Sequence, residues 1–225
     1  MPDAATAPRA VLWDVDGTLV DSAECHYHAW RETMAEHSYA LSREEFAATF
    51  GQRNDAVLRR YLGRSVTAEE VRRIGDAKEI RYRALVAARG VVALPGVREW
   101  LARLRAAGWR QAVASSGPRL NSEAIIDALA LPAPFDAVVS AEEVAHGKPD
   151  PDVFLAAAER LAVAPARCVV VEDAPSGVEA GRRAGMRTLG VLSTHSRLDA
   201  DRVVRSLADL EANAFETLLA TPRRG

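Results

Sequence analysis

Cysteine, lysine and net charge are what this 225-residue chain has least of: two cysteines, two lysines and a formal balance of −2. Cys25 and Cys168 allow one pair at most, which excludes a disulfide-stapled scaffold and makes a reducing compartment the expectation. Cys168 lies in the apolar run Cys168-Val169-Val170-Val171 and reads as a small buried hydrophobe. The near-neutral balance supplies no bulk attraction for nucleic acid or a membrane surface. No apolar run reaches membrane-spanning length, and residues 1–8 show neither the basic region nor the apolar segment of a signal peptide. The expectation is a soluble, cytoplasmic, monomeric protein with no nucleic-acid and no membrane partner. Both ends, 1–8 and 221–225, are expected to fray. No internal repeat or low-complexity segment is present. Lysine scarcity also sharpens attention: Lys78 and Lys148 are the only lysines among 29 basic residues.

What is there begins with Arg9 to Ser22. Ala10-Val11-Leu12-Trp13 has the continuous apolar character of a buried parallel strand. It runs into Asp14, one residue, then Asp16, and Gly17 permits a sharp turn. Ligands of α/β sheets bind at the carboxyl ends of strands. Two carboxylates placed there suit a cation site, or a nucleophile beside an acid/base. A plain Asp-Gly hairpin turn is the alternative from this stretch alone.

Beyond it the pattern changes twice. Residues 23–89 carry helical periodicity and no strand. Ala23 to His37 is expected to form a first helix, with His26, Trp30, Thr33, Met34 and His37 on one face. Ser42 with Glu45, and Thr67 with Glu70, read as capping boxes opening two more helices; one from Asp55 to Leu62 lies between them. From Leu94-Pro95-Gly96 strands and helices alternate. Strands are expected at 110–114, 136–140, 167–171 and 188–192, and Asp150 as the cap of a helix with Pro151 in its first turn. A last helix is expected near 207–219. Such alternation predicts an α/β fold, a doubly wound parallel sheet with a Rossmann-like core. The core comprises residues 1–21 and 95–225, and residues 22–94 form an inserted helical cap standing over the Asp14 edge.

Four loops then meet at that edge. They carry Asp14 and Asp16, Ser115 and Ser116, Lys148, and Glu172 with Asp173. Taken singly, each has an ordinary explanation: a loop, a solvated lysine, a polar strand end. Taken together, they supply a carboxylate nucleophile, an acid/base, hard oxygen ligands and a lysine for anionic charge, the parts that phosphoryl transfer needs.

These stretches resemble the haloacid dehalogenase superfamily, in its branch with a helical cap after the first strand. Four motifs carry the resemblance over nearly the whole chain. They are Asp14-Val15-Asp16-Gly17-Thr18, Ser115 after an apolar strand, Lys148-Pro149-Asp150-Pro151, and Glu172-Asp173 followed by Ser176-Gly177. The resemblance implies Asp14 as nucleophile, Asp16 as acid/base, and Ser115 with Lys148 on the phosphoryl oxygens. It places Mg²⁺ on Asp14, the Asp16 carbonyl and Asp173, with Glu172 beside or on the ion. The presence of Asp16 argues against the family's dehalogenases, which lack it.

Within the family the chain is similar to sugar-phosphate phosphatases and β-phosphoglucomutases. His26 matches a mutase cap histidine, Lys78 a cap lysine, and Gly51-Gln52-Arg53-Asn54 the cap's substrate loop. Mutases carry arginine where Asn54 stands, with Arg53 one place early. The candidate substrate-facing residues are therefore Ser116, His26, Gly51, Arg53 and Lys78. The expected activity is a Mg²⁺-dependent phosphatase of small phosphate monoesters, sugar phosphates first among them. A β-phosphoglucomutase is the alternative enzyme, and a phospho-acceptor signalling domain the alternative from another class.

Overall fold

The computed structural model describes residues 7–63, 65–130 and 135–221. The outermost parts of both terminal stretches, 1–6 and 222–225, lie outside them; the main chain at Ala7 and Pro8 accepts hydrogen bonds from the Arg167 side chain.

Six parallel strands form one sheet. In chain order they are β1 (Ala10–Trp13), β2 (Arg110–Ala114), β3 (Ala137–Val139), β4 (Cys168–Glu172), β5 (Arg187–Val191) and β6 (Arg202–Val204). Their spatial order is β3-β2-β1-β4-β5-β6. β1 is fully buried between β2 and β4, which is why its side chains are apolar on both faces. Val11 and Trp13 enter the cluster that holds Trp100, Leu104 and Phe215; Ala10 and Leu12 enter the opposite one, with Phe154 and Ala157. Cys168 is buried in that second cluster, as its apolar run foretold.

Helices cover both faces: α5 (Val97–Ala106), α6 (Arg119–Ala128) and α9 (Ala214–Ala220) one of them, α7 (Asp152–Arg160) and α8 (Pro175–Arg183) the other. Strand order runs outward from β1 in one direction and from β4 in the other. The crevice between their carboxyl ends is where such sheets bind ligands.

The insertion carries α1 (Ala23–Ala35), α2 (Arg43–Ala47), α3 (Asn54–Tyr61) and α4 (Ala68–Arg89). Both capping boxes form, Ser42 with Glu45 and Thr67 with Glu70. The four helices bury a core of their own around Tyr27, Trp30, Met34, Leu58 and Ile74. The lower part of α4 does something else, because Tyr82 and Val86 join the core beneath the sheet's edge. The two connecting segments leave side by side, bridged from Val20 to Ala93. Among the described residues, no helix is long and apolar enough to cross a membrane.

Two local expectations need correction. Asp150 does not cap α7. A turn closed from Asp150 N to Gly147 O delays the helix, Pro151 takes the cap position, and the Asp150 carboxylate lies 3.6 Å from Arg183 instead. The last helix is broken: a single tight turn at Leu207–Asp209 is followed by extended Leu210, and α9 begins only at Ala214. Trp100 Nε1 donates to the Leu207 carbonyl, holding that turn on the core.

Candidate active site

Every residue named from the sequence as catalytic, substrate-facing or metal-binding lines one cleft of about 300 Å³ between the insertion and the sheet. Its floor is built by the ends of β1 and β4. Asp14 follows β1 directly, and its main-chain N–H extends the ladder by donating to Val171 O at 3.1 Å. Asp14, Glu172 and Asp173 each offer a carboxylate oxygen, and the three lie within 4.8 Å of one another. Lys148 rises through the centre of this group. Its Nζ donates to Asp14 Oδ1 at 2.6 Å, to Glu172 Oε1 at 2.7 Å and to the Ala114 carbonyl at 3.1 Å. It is thus a buried, fully committed lysine and not a solvated charge.

The electrostatics follow from this crowding. Burial works against the Lys148 charge, but Asp14 and Glu172 outweigh it and hold the ammonium above its usual range. Burial pushes the Asp14 carboxyl well up, against the pull of Lys148. Asp173 is pushed up to about 7, first by burial and then by the Glu172 charge. Glu172 spends its second oxygen on the N–H groups of Asp173 and Ala174, both at 2.9 Å. Asp173 is steadied by the hydroxyls of Thr18 and Thr194. An all-oxygen, anion-rich donor set of this kind fits a hard divalent cation such as Mg²⁺.

Two glycines make the arrangement possible. Gly17 has φ +85°, and a β-carbon there would strike the Asp173 carboxylate. A β-carbon at Gly177 would overlap Glu172 Oε1.

Asp16 faces the other way. Its Oδ1 accepts from Ser22 Oγ and from Tyr82 Oη at 3.2 Å, and His26 Nε2 lies 3.0 Å from it without hydrogen-bond alignment. Burial alone would raise the Asp16 carboxyl; His26 and Ser22, with Lys78 further off, override it and hold the group well below the usual carboxylate range. Its side chain therefore belongs to the cap side of the cleft.

The cap side is a second polar network. His26 stacks on Tyr82 with ring centroids 3.8 Å apart. Lys78 is 2% exposed, which rules out snorkelling to solvent. Its Nζ touches His26 Nδ1 at 2.9 Å and donates to Glu79 Oε1 at 3.0 Å, over the rings of Trp30 and Tyr82. Asn54 donates to the same Glu79 oxygen at 2.8 Å. Arg53 packs its side-chain carbons against Gly147, next to Lys148, so the cap loop reaches the core across the mouth of the cleft. Ser115 accepts from Gly117 N at 3.0 Å and, with half-buried Ser116, forms the remaining wall.

The profile described as haloacid dehalogenase-like hydrolase matches residues 8–185. The chain belongs to that family. Hexitol phosphatase A of Escherichia coli (strain K12) is 34% identical over 90% of this chain and 93% of its own. Beta-phosphoglucomutase of Bacillus subtilis (strain 168) is 33% identical over 90% and 91%. The crystal structure of a mutant CbbY from Rhodobacter sphaeroides, in complex with xylulose-(1,5)bisphosphate, superposes with a TM-score of 0.81. It is 31% identical, covering 90% of this chain and 96% of that one.

Several residues of this haloacid dehalogenase-like hydrolase's cleft and its supports escaped the sequence. Tyr82 was within reach, since it falls one turn after Lys78 on the same helix face. Glu79, Asn121 and Thr194 were not. Each meets its partner across 21 to 42 residues of chain or beside a residue that helical spacing does not set face to face.

Proposed function

We propose that the protein is a Mg²⁺-dependent phosphatase of small sugar phosphates, working through a phosphoryl group carried on Asp14. One observation carries this reading: two carboxylates, two residues apart, sit in opposed environments within a single cleft. Asp14 lies against Lys148 in the carboxylate cluster, while Asp16 lies against Ser22, Tyr82 and His26. Splitting two carboxyls in this way separates nucleophile from acid/base.

The reaction then runs in two displacements. A substrate phosphate enters over Asp14, with the Ser115 hydroxyl on its oxygens and Lys148 turning one N–H from its present acceptors to join them. Asp14 attacks phosphorus and the ester oxygen departs toward the cap, where Asp16 gives it a proton. The incoming phosphate charge favours the protonated Asp16 needed for that step, against the pull of His26. Asp16 then takes a proton from the water that releases phosphate. Mg²⁺ would be held by Asp14, Asp173 and the Asp16 carbonyl with Glu172 adjacent, and supplies charge neutralisation between carboxylate and phosphate.

The insertion, residues 22–94, acts as a lid that selects the sugar. Its cleft volume suits a monosaccharide phosphate. The phosphatase relative supports hydrolysis, and the mutase relative keeps isomerisation as the second reading, favoured by the His26–Lys78 pair. Asn54 weighs against it: its amide is committed to Glu79 and cannot offer the forked grip of an arginine on a far phosphate. The lid also disfavours a phospho-acceptor domain, which needs an open face. Phosphate release from a panel of sugar phosphates, beside a coupled glucose 6-phosphate assay on β-glucose 1-phosphate primed with a bisphosphate, tests the reading. Rapid bisphosphate-dependent isomerisation with little free phosphate would replace it by the mutase.

A further inference from the structure

Asn121 belongs to core helix α6 and does not line the cleft, yet it is only 5% exposed. Both polar atoms of its amide bond to the cap. Nδ2 donates to Glu79 Oε2 at 2.6 Å, and Oδ1 accepts from Arg83 Nη1 at 3.0 Å. Glu79 and Arg83 are four residues apart on α4, one turn along the same face. No other described core side chain hydrogen-bonds Glu79.

The Glu79 carboxylate is 4% exposed and stands at the head of a chain of contacts. Its other oxygen takes Lys78 Nζ, Lys78 reaches His26, and His26 lies against Asp16. The series starts in the core at Asn121, crosses the cap through three side chains, and returns to the core at Asp16. A buried carboxylate that loses a hydrogen-bond donor pulls harder on those it keeps, and here the one it keeps beside His26 is Lys78.

We propose that Asn121 is a positioning residue: by docking Glu79 and Arg83 it fixes the cap so that Lys78 and His26 are set against the acid/base Asp16. This rests on the phosphatase reading for its chemical consequence, but not for the docking itself. The consequence is selective. Protonating an alkoxide leaving group needs Asp16, whereas p-nitrophenolate leaves without a proton. The parameter kcat/KM reports events up to the first irreversible step, so the later hydrolysis of the phosphorylated Asp14 does not enter it.

Asn121→Asp keeps the shape and the acceptor for Arg83 but turns a carboxylate toward Glu79. It should lower kcat/KM for the sugar phosphate turned over best in the panel by about tenfold or more, and for p-nitrophenyl phosphate much less. Adding Glu79→Gln restores a donor across the contact and should recover most of the loss, which a packing role would not. Asn121→Ala, a smaller change, gives the same comparison should the aspartate variant fail to fold. Equal losses on both substrates, no loss, or no recovery in the double variant would overturn the proposal. Hydrogen exchange of the Asn121→Ala protein separates it from the reading it rests on. Faster exchange in α1 to α4 with α5 to α9 unchanged supports docking even if no sugar phosphate is hydrolysed, and unchanged exchange in α4 overturns it.

Discussion

Lys78 Nζ stands 2.9 Å from His26 Nδ1, and the opposite ring nitrogen stands 3.0 Å from Asp16 Oδ1. An ammonium can only donate, so in this contact Nδ1 is the acceptor and Nε2 is the ring nitrogen left toward Asp16. The lysine thus decides which face of the imidazole Asp16 meets, although it never touches Asp16 itself.

Lys78→Met keeps the length and apolar stem and removes the donor. Steady-state kinetics should give a fall of roughly 10²-fold in kcat/KM for sugar phosphates, the scale of a lost proton-transfer partner, and a smaller one for p-nitrophenyl phosphate. Equal falls on the two substrates would assign Lys78 to packing alone.

Asp14→Asn keeps the shape and the burial at the head of β1 but cannot attack phosphorus. Phosphate release should drop below detection while the far-ultraviolet circular dichroism and Tm stay near those of the parent. Turnover at the parental rate would remove the covalent mechanism.

The carboxylate cluster makes metal and pH act together. EDTA should abolish activity and Mg²⁺ restore it, and Mg²⁺ at 100 times its Kd should add about 2.7 kcal/mol of stability. In metal-free protein Asp173 rises from an unfolded value of 3.8 to about 7. A raised carboxyl stabilises the fold below its unfolded pKa, and that contribution is lost as pH climbs through the folded one. Thermal melts in EDTA should therefore show Tm falling between about pH 4 and pH 7 from this group, a slope that Asp173→Asn reduces. An unchanged slope in that variant counts against the assignment.

Gly177→Ala tests how closely Glu172 is held. The new methyl must displace the Glu172 carboxylate, which loosens Lys148 and, on the proposed phosphatase reading, its hold on phosphate. Measured activity should fall at least about tenfold, with a folding cost of about 1–3 kcal/mol, the range for overpacking. Near-parental kcat/KM would mean that Glu172 can move aside freely.

Much of this was legible in the chain because it is local. The apolar run into Asp14 places a carboxylate at a strand's end, since a fully buried parallel strand needs no polar face. Ser42 with Glu45 and Thr67 with Glu70 announce two helices through bonds spanning three residues. Asp150 misled for a related reason: an aspartate before proline is a good cap signal, but the turn closed from Asp150 N to Gly147 O moves the helix start to Asp152.

What the sequence by itself determined is where most strands and helices fall, which strand ends carry carboxylates, and the family those motifs mark. Only the tertiary structure decided how the two aspartates divide, because that depends on neighbours far along the chain: Lys148 beside Asp14, and Tyr82 and His26 beside Asp16. It alone decided that Lys78 is sealed in the cap and not lying along its surface, and that Asn54 donates to Glu79. Helix and strand periods are properties of neighbouring residues and can be read in order. Burial and pairing of charge arise when remote segments exclude water together, and no stretch of the chain contains that by itself.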